Sequence, residues 1–93
     1  MGMIKNYRIR VRGIVQGVGF RPFIYRIARE KGLRGWVLND TEGVEIEAEG
    51  EEASLMAFLE EIRNIPPPLS RIQSVEIAEG TLQGHKDFHI EAS

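Results

Sequence analysis

Two short stretches hold the residues best suited to chemistry. The first, Gly13-Ile14-Val15-Gln16-Gly17-Val18-Gly19, is a glycine-rich turn that runs directly into an apolar pattern of helical spacing opening at Phe20. A turn carrying Gly17 and Gly19 can expose successive backbone N–H groups, and a helix behind it adds the positive end of its dipole. The segment from Val15 to Phe20 therefore suits an anion. Arg21 stands at its exit, and a guanidinium offers a planar fork of donors that matches phosphate and stays charged at any working pH. The second stretch, Gly35 to Asn39, ends on an amide side chain. Each feature also has a plainer reading: a tight strand-to-helix turn, a surface arginine, an asparagine that begins a turn.

Other chemistries can be tested against the letters. A dinucleotide fingerprint needs a third glycine where the chain has Pro22, and a P-loop needs Gly-Lys-Ser/Thr, which does not occur. His85 and His89 lie four apart on a segment entering a strand, where four-residue spacing does not aim two rings together, and no further ligands stand nearby. They read as surface or edge residues, and no metal or other cofactor is expected. Trp36 reads as a core aromatic.

The elements that must position these residues follow from periodicity. Lys5 to Gly13 alternates Tyr7, Ile9 and Val11 with Arg8, Arg10 and Arg12, the pattern of a strand with one wet face. Phe20, Phe23, Ile24, Ile27 and Ala28 recur at helical spacing, with Pro22 suited to the first turn and Gly32 to the C-terminal cap. Gly35 to Asn39 predicts a second strand. Val44, Ile46 and Ala48 alternating with Glu45, Glu47 and Glu49 predict a third, joined to it by a hairpin turn at Asp40 to Gly43. A second helix should run from about Glu52 to Arg63 with Leu55, Met56, Leu59 and Ile62 inward, stopped by Pro66-Pro67-Pro68. Ile72 to Ala78 predicts a fourth strand, and Phe88 to Ala92 a short fifth.

The order β-α-β-β-α-β plus a terminal strand is that of an α+β, ferredoxin-like sandwich: an antiparallel sheet with both helices on one face. Strand three then lies between strands one and two, so the first two strands are parallel. Their C-terminal ends, carrying the glycine-rich turn and Asn39, open on one edge of the sheet.

Composition narrows the class. The 93 residues suit one domain spanning 1–93, and with no cysteine there is neither a disulfide framework nor a thiolate site. No apolar run is long enough to cross a membrane, nothing near Met1 reads as a signal peptide, and Asn6 breaks the myristoylation pattern. These features point to the cytoplasm. Residues 1–34 hold nine Lys/Arg and one acid, residues 35–93 three Lys/Arg and thirteen acids. Cross-strand pairing of Arg8, Arg10 and Arg12 with Glu45, Glu47 and Glu49 explains that split better than a nucleic-acid face does. An RNA-recognition motif would want aromatics where strand three carries those glutamates.

Val15-Gln16-Gly17-Val18-Gly19-Phe20-Arg21, followed by Gly35-Trp36-Val37-Leu38-Asn39 and Gly43, resembles the signature of the acylphosphatases. The resemblance spans nearly the whole chain. It implies the ferredoxin-like fold and hydrolysis of acyl phosphates to carboxylate and inorganic phosphate. Backbone amides of Val15 to Phe20 would bind phosphate, Arg21 would anchor it, and Asn39 would orient the attacking water. Arg21-Pro22-Phe23, Asn39-Asp40 and Pro66-Pro67-Pro68-Leu69-Ser70-Arg71-Ile72 are similar to one branch, the N-terminal acylphosphatase-like domain of the hydrogenase-maturation carbamoyltransferases. That likeness implies carbamoyl phosphate as a substrate, an early step toward the cyanide ligands of nickel-iron hydrogenases, with downstream carbamoyltransferase domains as partners. The sequence ends at Ser93, short of the zinc-finger-like and carbamoyl-transfer domains, so a freestanding enzyme and an excised domain both stay open. Asp40 replaces the small hydroxyl residue of many stand-alone relatives and would add a negative charge beside the site.

The chemistry implied needs no titrating residue. An acyl phosphate is a mixed anhydride whose leaving group is a stable carboxylate, so a general acid is unnecessary and a site built on Arg21 and Asn39 suffices.

Overall fold

A computed structural model describes residues 2–91. The elements are β1 (Ile4–Ile14), α1 (Phe20–Glu30), β2 (Arg34–Asp40), β3 (Gly43–Glu51), α2 (Glu52–Asn64), β4 (Arg71–Gly80) and β5 (Phe88–Ile90). They follow the order read from periodicity, and the sheet order is β4-β1-β3-β2-β5. Among the described residues no helix is long and apolar enough to cross a membrane.

Alternation decides the faces. Ile9 pairs with Ile46 and Val11 with Val44 across β1 and β3, while Val37 of β2 pairs with Ile46 from the other side. All five side chains are buried and pack beneath the two helices with Phe20, Ile24 and Ile27 of α1 and Leu55, Phe58, Leu59 and Ile62 of α2. The residues between them face the other way. Arg8 lies opposite Glu47 and Arg10 opposite Glu45, and both arginines are bridged to glutamates at 2.7 to 2.8 Å. The charge split along the chain thus becomes cross-strand pairs at Arg8 and Arg10, whereas Arg12, which lies opposite Gly43, bridges Glu42 and Glu76 instead, and Glu49 lies opposite Asn6.

Four expectations are corrected. The sheet is mixed, because β5 joins β2 in parallel; the predicted end of that strand at Ala92 lies outside the described residues. In α2, Phe58 is buried and Met56 is half exposed. Leu55, Phe58, Leu59 and Ile62 form the i, i+3, i+4, i+7 stripe, and Met56 sits one residue, about 100°, off it. Trp36 is not in the core: Val37 points under the helices, so strand parity turns Trp36 to the open face, where the Arg8 guanidinium lies 5.1 Å from its ring.

The fourth correction concerns His85 and the supposedly wet face. The chain must travel from β4 on one edge to β5 on the other, four inter-strand spacings or about 19 Å. The seven residues Thr81 to Asp87 make that crossing, and an extended chain of this length reaches about 23 to 25 Å. The segment therefore lies as a strap across the open face, over β1 and β3. Glu49 accepts hydrogen bonds from the N–H groups of Gln83, Gly84 and His85 at 2.6, 2.9 and 3.0 Å, and from Asn6 Nδ2 at 3.1 Å. The His85 ring meets Glu47, which also accepts from Arg8 at 2.7 Å. Both glutamates are buried. Burial by itself would raise their pKa values, yet these hydrogen bonds hold both carboxylates below their ordinary range. His89 stays at the exposed edge, between Asp87 and Glu91.

Candidate active site

The loop between β1 and α1 is pinned at both ends and open in the middle. Val15 and Phe20 are each 1% exposed and belong to the core, whereas Gln16, Gly17 and Gly19 lie at the surface. Gly17 and Gly19 have φ of 73° and 77°, and a Cβ on either would meet nothing within 4 Å. Backbone conformation therefore demands glycine here, and lack of room does not.

What that conformation achieves is visible in the hydrogen bonds it leaves unmade. Helix α1 starts from Gly19 with no side-chain cap and no acidic residue in its first turn. Among the described residues, no backbone carbonyl outside the regular elements accepts from the N–H groups of Gln16, Gly17, Val18, Gly19, Phe20 or Arg21. Phe23 is the first in the helix with a partner, donating to the Gly19 carbonyl at 3.2 Å. Six adjacent uncommitted donors at the positive end of a helix concentrate positive potential at one point of the surface. Arg21, half buried in the first turn of α1, adds a full charge.

Asn39 reaches the same edge of the sheet. Both β1 and β2 run antiparallel to β3, so they are parallel to each other and end at the same edge of the sheet, on either side of β3. The Gln16 side chain joins the two ends directly: its Nε2 donates to the carbonyl of Asp40, and to that of Gly43 at 3.4 Å. Asn39 shares the parity of Val37, which turns its side chain toward the helix-covered face. Its Oδ1 is buried and has no hydrogen-bond partner among the described residues. A buried acceptor without a donor is costly and uncommon, and such atoms concentrate where a protein receives a ligand or a water.

Asp40 behaves otherwise than its position in sequence suggests. Strand alternation sends its carboxylate to the open face, away from Asn39, where Oδ2 accepts from Arg10 at 2.7 Å. Its Oδ1 accepts from the N–H groups of Glu42 and Gly43 at 2.9 and 3.1 Å, closing the turn between β2 and β3. The Arg10 hydrogen bond, then the Glu42 N–H, hold its pKa below the ordinary aspartate value. The expected negative charge beside the site is thus paired on the far side of the sheet. Sequence reasoning missed this turn-closing role and the bridging role of Gln16, although the even spacing from Leu38 to Asp40 carried the first signal.

Residues 7–90 match the family model of the acylphosphatases, almost the entire chain. The chain belongs to the acylphosphatase family. It is 46% identical over 88 residues to the acylphosphatase of Thermotoga petrophila, covering 94% of this chain and 97% of that one. It is 60% identical over 68 residues to the carbamoyltransferase HypF2 of Cupriavidus necator, covering 73% of this chain but 8% of that protein. Full-length HypF, solved in a phosphate- and nucleotide-bound form, superimposes with a TM-score of 0.95 at 43% identity, over 99% of this chain and 12% of that one. The chain thus spans 8 to 12% of the length of the carbamoyltransferases it matches. Within this acylphosphatase-family chain, among the described residues, no three His, Cys, Asp or Glu side chains group closely enough to hold a metal ion.

Proposed function

We propose that residues 1–93 form one acylphosphatase unit that hydrolyses acyl phosphates to a carboxylate and inorganic phosphate. The observation that carries this reading is the row of six uncommitted N–H groups and the partnerless Asn39 Oδ1 at the same sheet edge. The phosphoryl group sits in the cradle from Val15 to Phe20, with the Arg21 fork on its equatorial oxygens, where charge gathers as the bond to the acyl oxygen loosens. Asn39 Oδ1 accepts a hydrogen bond from water and aims its oxygen at phosphorus, in line with the leaving carboxylate. The new P–O bond forms as the acyl O–P bond breaks, and the water's proton passes to a phosphate oxygen. The carboxylate departs as an anion, so the step calls for no general acid.

Similarity to the carbamoyltransferases favours carbamoyl phosphate among the substrates. It also supports a second reading, in which the chain is a phosphate- or carbamoyl-phosphate-binding domain with little turnover apart from downstream carbamoyltransferase domains.

Steady-state hydrolysis of benzoyl phosphate and carbamoyl phosphate by wild type and Arg21→Ala, with phosphate affinity measured by calorimetry on both, separates the two. The enzyme reading expects turnover that falls by 10²- to 10³-fold or more in the variant. Phosphate binding with neither substrate consumed favours the binding domain. Turnover that survives Arg21→Ala intact removes the arginine from the site.

A further inference from the structure

The two halves of the site stand on strands that are not neighbours. β1 leads into the cradle, β2 carries Asn39, and β3 lies between them, a separation of two strand spacings or about 9.5 Å. The turn from Asp40 to Gly43 that joins β2 to β3 bridges this gap, and it is held from several sides. Gly43 lies opposite Arg12, and a Cβ on it would stand 2.1 Å from the Val11 carbonyl oxygen, so the start of β3 is pressed against β1. From the cradle, Gln16 Nε2 donates to the carbonyls of Asp40 and Gly43. From the open face, Arg10 of β1 reaches past β3: Nη2 donates to Glu45 of β3 at 2.8 Å and Nη1 to Asp40 of β2 at 2.7 Å.

These holds converge on Asp40. Its Oδ2 accepts from Arg10, its Oδ1 accepts from the Glu42 and Gly43 N–H groups at 2.9 and 3.1 Å, and its carbonyl accepts from Gln16. Both Arg10 and Asp40 are partly buried. A planar guanidinium with each prong engaged has a fixed direction, so the carboxylate it holds has a fixed place. Arg8, on the same face of β1, carries the same charge, but its bridges run to Glu45 and Glu47 and away from the turn.

We propose that Arg10 and Asp40 are positioning residues for the hydrolysis: acting in series through the turn and Gln16, and without touching substrate, they set the amide cradle against the Asn39 side chain. The assignment rests on the enzymatic reading above. A water held on β2 must meet a phosphorus held on the loop after β1, and an error of about 1 Å between the two costs about 100-fold in rate. Gln16 can fix the cradle only against carbonyls that are themselves fixed, and the Arg10–Asp40 bond fixes them. Loss of Arg10 therefore makes Gln16 ineffective, and loss of Gln16 leaves Arg10 holding a turn that the cradle no longer uses.

The test is a double-mutant cycle on benzoyl phosphate hydrolysis with Arg10→Met, Gln16→Ala and their combination, and with Arg8→Met, Asp40→Ala and Asp40→Asn alongside. Each is assayed at a temperature where circular dichroism shows it folded. Arg10→Met and Gln16→Ala should each lower kcat by about 10-fold with phosphate affinity kept within a few-fold, and the double variant should fall no further than about twofold below the worse single, where independent losses would multiply to about 100-fold. Arg8→Met should stay within about twofold of wild type, and Asp40→Asn, which keeps the acceptor that closes the turn, should exceed Asp40→Ala. Multiplying losses, or equal losses in Arg8→Met and Arg10→Met, overturn the relay and leave the enzyme reading intact. Absence of turnover in wild type overturns the enzyme, and nitrogen-15 NMR then reads the relay by itself. Arg10→Met should move the Gly17 backbone amide and the Asn39 side-chain amide, and the Gly17 shift should vanish in a Gln16→Ala background. Shifts confined to the turn overturn the relay as well.

Discussion

Asn39 and Arg21 divide the proposed reaction between positioning and charge, and each division can be measured. Asn39 Oδ1 lacks a protein donor, so Asn39→Ala removes an acceptor that only water is proposed to use. It should lower kcat by about 10²-fold while phosphate affinity stays within a few-fold, since a positioned water matters in the transition state. Loss of phosphate affinity with kcat preserved would reverse that role. Arg21→Lys keeps the charge but replaces a two-pronged fork by a single point, and should recover phosphate binding better than turnover. The placement of these two residues at one sheet edge is legible from a turn and a strand end, whereas the roles proposed for them come from the family resemblance. The direction of a side chain is harder to read. Trp36 looks like a core residue by type, yet its neighbour Val37 claims the helix side and parity leaves no choice.

At the scale of elements, the site depends on two strand ends staying in register. The Gln16 side chain spans them, so Gln16→Ala should lower activity with little change in melting temperature, whereas Phe58→Ala should cost about 3 to 5 kcal/mol of stability by leaving a core cavity. Met56→Ala, on the exposed flank of the same helix, should stay within about 0.5 kcal/mol. Chemical denaturation of the three variants checks the contrast. The strands and helices are legible because periods of two and 3.6 repeat over many residues. Residues 81–87 have no period, and their course over Glu47 and Glu49 emerges only once β4 and β5 are known to sit on opposite edges.

The whole molecule responds to acid through the covered Glu47 and Glu49 and through Asp40 in the turn between β2 and β3. Asp40, Glu47 and Glu49 all have folded-state pKa values below their unfolded ones. Their contribution is therefore fully present above the ordinary carboxylate range and is lost as pH falls through the depressed folded values. Denaturation midpoints should stay level from neutrality down to about pH 5 and fall steeply below about pH 4. Glu49→Gln should be less stable at pH 7 and lose less on acidification; an acid limb identical to wild type would remove Glu49 from this account. His89, raised by Glu91, works in the opposite sense, its share fading as pH rises, but it lies at the exposed edge where solvent screens it.

The row of free amides from Gln16 to Arg21 has a thermodynamic corollary. Those donors converge only when β1 and α1 are folded, so an anion that fits them binds the native state and has nothing comparable in the unfolded chain. Inorganic phosphate should then act as a folding ligand, adding about 2.7 kcal/mol at a hundred times its dissociation constant. For a domain of this length that is a rise in melting temperature of roughly 10 to 20 °C. A thermal melt in phosphate and in chloride at equal ionic strength reads it out, and Arg21→Ala should shrink the difference.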